Sequence, residues 1–136
     1  MRLVALLYGL LVLAASLDVA AQGALAGGPY LFDLLKRPQF RASFDALFKG
    51  EQNVDAWVTE FQRSGNGVAD ESKRYQIEGR AYIGCMVCKP HDCGANQLHV
   101  LFTEDGAGAT AVLISPRGRR WFGNPSDAQR ALLLRL

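Results

Sequence analysis

Three cysteines and a histidine fall within Cys85-Met86-Val87-Cys88-Lys89-Pro90-His91-Asp92-Cys93-Gly94, the stretch of this 136-residue chain best equipped for chemistry. Thiolates and imidazole together suggest a zinc site built from Cys85, Cys88, His91 and Cys93. Against that reading, residues 85 and 88 of an extended strand point to opposite faces and cannot both reach one ion without a bulge. A redox Cys-x-x-Cys pair, Cys85 with Cys88, is the second reading. The same alternation counts against it, and Pro90 and Gly94 break the chain where such a pair opens a helix. The third reading is a disulfide between Cys88 and Cys93, which closes four residues into a ring and leaves Cys85 as a buried thiol on the inward strand face. The residue types favour this reading over metal and redox chemistry. No metal or cofactor is expected.

A ring of that size adds only about 2 kcal/mol of chain-entropy stabilisation. Its larger effect is local, because the crosslink and Pro90 together fix the backbone that presents Lys89, His91 and Asp92. A stiff polar loop loses little entropy on entering a cleft, which suits a binding role. A stapled hairpin turn whose His91 only faces solvent fits the same residues. The other histidine, His99, sits between Leu98 and Val100 and reads as a packed sheet residue. The chain has no Gly-x-Ser-x-Gly, no phosphate-binding loop and no paired carboxylates at catalytic spacing, so nothing argues for an enzyme.

The N-terminus bears on which of these readings apply. Met1-Arg2 gives a positive start, Leu3 to Ala15 run without charge, and Val19-Ala20-Ala21 matches the small-residue pattern of signal cleavage before Gln22. The apolar run is too short to span a bilayer comfortably. The expectation is a signal peptide over residues 1–21 and a single domain over residues 22–136 in an oxidising compartment, with no stable membrane span after cleavage. The formal charge is +2, with no basic stripe interleaved with aromatics, so nucleic acid is not expected as a partner.

The elements that must position the cysteine-rich stretch follow from periodicity. Leu31, Leu34 and Leu35 share a helical face until Pro38 interrupts; Phe40, Phe44, Leu47 and Phe48 then repeat at helical spacing. Val54, Trp57, Val58 and Phe61 make a second stripe, stopped by Ser64-Gly65-Asn66-Gly67. From Arg74 the period becomes two, through Tyr75, Ile77, Ala81, Ile83, Cys85 and Val87, and again through Leu98, Val100 and Phe102. Asp105-Gly106-Ala107-Gly108 turns into Ala111 to Ile114, and Pro116-Arg117-Gly118 turns into Trp121-Phe122. Apolar residues on both strand faces imply a sheet covered on both sides. Asn124 as N-cap with Pro125 at the first position starts a last helix, with Ala128, Leu132 and Leu136 inward. Short successive turns make the strands antiparallel neighbours. The fold class is α+β: an antiparallel meander of about five strands flanked by helices from the N- and C-terminal segments.

With these residues in view, Cys88-Lys89-Pro90-His91-Asp92-Cys93 resembles the signature loop of the inhibitor of vertebrate lysozyme family of Gram-negative bacteria. Tyr82-Ile83 before the loop, Gly94 and Asn96 after it, and Trp121-Phe122-Gly123-Asn124-Pro125 before a Leu-rich terminal helix agree with it. Cys85 departs from the loop pattern. The resemblance implies a five-stranded antiparallel meander between helical layers, and a periplasmic protein whose partner is C-type lysozyme. It implies that the loop enters the active-site cleft and that His91 bridges the two catalytic carboxyl groups, with each bond charge-assisted when the imidazole is protonated. Lys89 and Asp92 would flank that contact and Pro90 would hold the turn. The other reading is a periplasmic binding or chaperone-like module, acting on the cell's own lytic transglycosylases.

Overall fold

In the computed structural model, residues 27–64 and 67–136 are described; the expected signal peptide and the Gly65-Asn66 part of the second helix stop lie outside them. Helix α1 is one short turn, Leu31–Leu34. Pro38 starts α2, Pro38–Phe48, at a position where its missing N–H leaves no bond unmade. Helix α3 follows at Ala56–Ser64, so Val54 of the expected stripe precedes the helix. Strand β1 is Val68–Ala69, β2 Lys73–Ile77, β3 Arg80–Cys88, β4 Gln97–Thr103, β5 Ala109–Ser115 and β6 Gly118–Phe122. Helix α4 is Asp127–Leu133.

The strands form one antiparallel sheet in which β3, β4, β5 and β6 are neighbours in chain order. Both β1 and β2 pair with β3, so one edge of the meander is a strand broken at residues 70–72. This is the α+β meander the sequence implies, with its first strand in two pieces. Val68–Ala69 carried too short an apolar signal to be expected as a strand.

The two faces have separate cores. Cys85, Val87, Leu98, Val100, Phe102, Ala111, Leu113 and Phe122 pack with Leu31, Leu34, Leu35, Phe40, Phe44, Leu47, Val58 and Phe61 of the first three helices and the short connection after α1. Edge-to-face rings lock this layer: Phe40 on Phe102 at 5.2 Å and Phe48 on Phe122 at 5.0 Å. On the opposite face Tyr82, Leu101 and Val112 meet Leu132 and Leu133 of α4.

Helix α4 is capped by Ser126, not Asn124. The Ser126 side chain accepts from the Gln129 N–H at 3.3 Å, and the Gln129 side chain accepts from the Ser126 N–H at 2.9 Å. A capping box needs a Gln or Glu three residues after the cap, which Gln129 supplies for Ser126. Asn124 takes a left-handed φ of 51° in the preceding turn. Of the expected inner face Leu132 is buried, beside Leu133, while Ala128 and Leu136 are half-buried.

Candidate binding loop

Strand β3 ends at Cys88, which stands opposite Gln97, the first residue of β4. The connection between them leaves the sheet and is closed at several levels. A disulfide joins Cys88 to Cys93, with Cα atoms 4.9 Å apart. Above it, the Lys89 N–H donates to the Asn96 carbonyl at 3.1 Å and adds one rung to the ladder. The Asp92 N–H donates to the Lys89 carbonyl at 3.0 Å, which makes Lys89 to Asp92 a four-residue turn.

Pro90 and His91 are the two central residues of that turn, and His91 has φ 63°. Proline first and a positive φ second is the signature of a type II turn, where glycine is the ordinary second residue. Holding a histidine there costs about 1 kcal/mol or more, which the closed neck must offset. The result puts His91 at the apex. His91 and Lys89 are exposed, whereas Pro90, Asp92 and Cys93 are partly buried.

Asp92 works within the loop. Its carboxylate accepts from the Asn96 side-chain amide at 2.6 Å, and its carbonyl accepts from the N–H of Asn96 at 3.0 Å and of Ala95 at 3.3 Å. Asn96 is 7% exposed and Asp92 partly buried, so this pairing is partly shielded from water. The Gln97 side chain adds another tie, donating to the Cys93 carbonyl at 2.8 Å. The sequence pointed to Asn96 only through its place after the ring, and not at all to Gln97. The one available signal was that a tight ring leaves carbonyls and a carboxylate in need of donors.

Cys85 is not part of this assembly. It lies in the helix-covered core at 2% exposure, and burial pushes its thiol pKa up to about 12. Residues 85 and 88 thus serve opposite sides of the sheet, as strand alternation requires. His99 is 5% exposed, and its Nδ1 lies 2.5 Å from the Leu133 carbonyl of α4. Burial holds its pKa below the ordinary histidine value, partly countered by that bond.

The loop has company at its end of the sheet. Cys88, Gln97, Ile114 and Arg119 form one transverse row, so the Pro116-Arg117 turn projects from the same end. Arg117 reaches Asp55 at 2.6 Å and ties that turn to the start of α3. Val68, half exposed, pairs with Cys88 on the other side. A stapled, exposed loop whose neck is closed by a disulfide and several hydrogen bonds is suited to insertion into a concave partner.

The sequence pattern of the family described as inhibitor of vertebrate lysozyme (Ivy) matches residues 39–132 of this chain, a span that holds the loop and all of the sheet. The chain belongs to the inhibitor of vertebrate lysozyme family. A Pseudomonas aeruginosa protein named inhibitor of vertebrate lysozyme is 35% identical over 121 residues, covering 79% of this chain and 76% of that protein. An uncharacterized protein of Yersinia pestis is 25% identical over 122 residues, covering 80% of this chain and 77% of its own length.

Proposed function

We propose that this chain is an exported, periplasmic inhibitor of C-type lysozyme that enters the enzyme's cleft with the Cys88–Cys93 loop. C-type lysozyme cleaves peptidoglycan with two carboxyl groups, one protonated and one ionised, on either side of the scissile bond. His91, inserted between them, donates to or accepts from each and excludes the substrate. Lys89 makes a flanking polar contact. Asp92, expected from the resemblance as a second flanking residue, has its carboxylate committed to Asn96, so its main service is to hold the turn.

The observation that carries this reading is the exposed apex position of His91 in a turn fixed by a disulfide, a proline and the Asp92–Asn96 pair. A loop whose shape is fixed before docking loses little conformational entropy on docking, and the surplus appears as affinity. The test is a turbidity assay of lysozyme on bacterial cell walls with wild type and His91→Ala. The variant should fold normally and inhibit more weakly by about 2 kcal/mol or more, roughly thirtyfold. Equal inhibition by the two proteins would remove His91 from the mechanism.

A further inference from the structure

A chain of hydrogen bonds runs from the terminal helix to the ring. The Leu133 carbonyl faces His99 Nδ1 at 2.5 Å, His99 Nε2 faces Gln97 Oε1 at 3.2 Å, and Gln97 Nε2 donates to the Cys93 carbonyl at 2.8 Å. Both ends of this chain are main-chain carbonyls, which can only accept. That constraint fixes everything between them. The Cys93 carbonyl requires the NH₂ end of the Gln97 amide, which turns its oxygen toward His99. The Leu133 carbonyl requires a proton on His99 Nδ1. Nε2 then meets an oxygen, so that contact is a hydrogen bond only when Nε2 also carries a proton.

A neutral His99 therefore satisfies one end and sets a lone pair against the Gln97 oxygen. The imidazolium satisfies both. His99 is buried, and its register partners on the adjoining strands, Met86 and Val112, are uncharged. From α4 it meets the Leu133 main chain, while the α4 cation Arg130 lies over the Trp121 ring at 5.1 Å. Among the described residues no carboxylate forms an ion pair with His99, and burial lowers its pKa, so the imidazolium forms only below the ordinary histidine range.

We propose that Gln97 and His99 are positioning residues for the Cys88–Cys93 loop, and that proton uptake by His99 completes their tie to the Cys93 carbonyl and tightens the ring. The consequence for inhibition rests on the loop's proposed role; the tie itself does not. At neutral pH the Gln97 amide is held at one end only. In acid, His99 fixes its oxygen, and the amide's N–H is locked onto Cys93.

The test is hydrogen exchange on the free protein, reading protection factors of the Asp92 and Asn96 amides from about pH 7.5 to about pH 4.5, with His99 titrated by NMR in the same samples. In wild type, protection should rise about three- to tenfold through the His99 titration, the equivalent of one hydrogen bond. Gln97→Glu separates the two ends of the tie. Its carboxylate pairs better with imidazolium and raises the His99 pKa, but it has no proton for Cys93, so the rise in loop protection should vanish. Its dissociation from lysozyme should be faster at acid pH by the same factor. A wild-type loop whose protection ignores the His99 titration would overturn the proposal, as would a Gln97→Glu loop that keeps the rise. If inhibition survives His91→Ala, the inhibitory reading of the loop fails, while the exchange data on the free protein still decide the tie.

Discussion

Asn96 holds Asp92 at two points, its side-chain amide on the carboxylate at 2.6 Å and its backbone N–H on the carbonyl at 3.0 Å. The first bond is charge-assisted and partly shielded, which favours it over an exposed neutral pair. Because Asp92 closes the turn that carries His91, loosening this clamp should reach the apex directly.

Asn96→Ala should therefore cost about 1–2 kcal/mol in urea unfolding, through the carboxylate left short of a donor. It should weaken lysozyme inhibition by a comparable or larger amount. Asn96→Asp should be worse than alanine above about pH 5, since it sets two carboxylates in contact. A fully stable Asn96→Ala protein with undiminished inhibition would show that the ring alone holds the turn.

His99 predicts a pH dependence of stability. Burial lowers its pKa in the folded chain, while the unfolded chain titrates near about 6.5. Between those two values the unfolded chain binds more protons, so stability rises with pH there. The contribution is complete above about pH 6.5, declines as pH falls toward the folded value and is constant below it. Urea midpoints over a pH series, for wild type and His99→Asn, isolate this slope. A slope unchanged in the variant would assign it to another group.

Cys85 should be silent toward thiol reagents in the native protein. A buried thiol with a pKa of about 12 offers almost no thiolate at neutral pH. Ellman's reagent should find no reactive thiol in the folded state and one thiol equivalent in denaturant. Rapid native labelling would show that the helix layer over β3 opens readily.

Much of this architecture is legible in the sequence, for identifiable reasons. The stripes Phe40–Phe44–Leu47 and Val58–Phe61 mark helices because one face must be apolar to dock on a sheet. The alternation through Cys85, Val87, Leu98, Val100 and Phe102 marks strands for the analogous reason. What escaped depends on contacts remote in sequence. Two residues of β1 carry no period, and only pairing with β3 makes them a strand. Asn-Pro at 124–125 resembles a helix start, whereas the reciprocal Ser126–Gln129 bonds decide the cap of α4. The ring residues were visible as a motif, but His91's backbone conformation and the holding roles of Asn96 and Gln97 exist only in the folded loop.

The β2–β3 hairpin offers a way to stabilise the fold away from the loop. Ile77 pairs with Arg80, leaving Glu78 at φ 50° and Gly79 at φ 77° as a two-residue turn. Two positive φ values define a type I′ turn, which favours Asn-Gly. Glu78→Asn should add about 0.5 kcal/mol, seen as a rise in Tm of about 2 °C. An unchanged or lower Tm would mean that Glu78 makes a compensating contact in solution.

The disulfide should matter more to inhibition than to stability. Its ring is short, so removing it by Cys88→Ala with Cys93→Ala frees little of the unfolded chain, costing about 2 kcal/mol and about 5–10 °C in Tm. The folded loop loses its covalent neck as well as the Gln97 tie's fixed target at position 93. Re-ordering even two residues on binding costs about 2–4 kcal/mol, or about thirty- to a thousandfold in Kd. The Asp92–Asn96 clamp closes the same neck, so the two devices should not act independently. Once the ring is gone, Asn96→Ala should cause a different loss of inhibition than it causes in wild type. Calorimetry with lysozyme on the ring-free protein, the clamp variant and their combination measures that coupling. Strict additivity, or a ring-free protein that inhibits as tightly as wild type, would show that the loop's shape is set elsewhere.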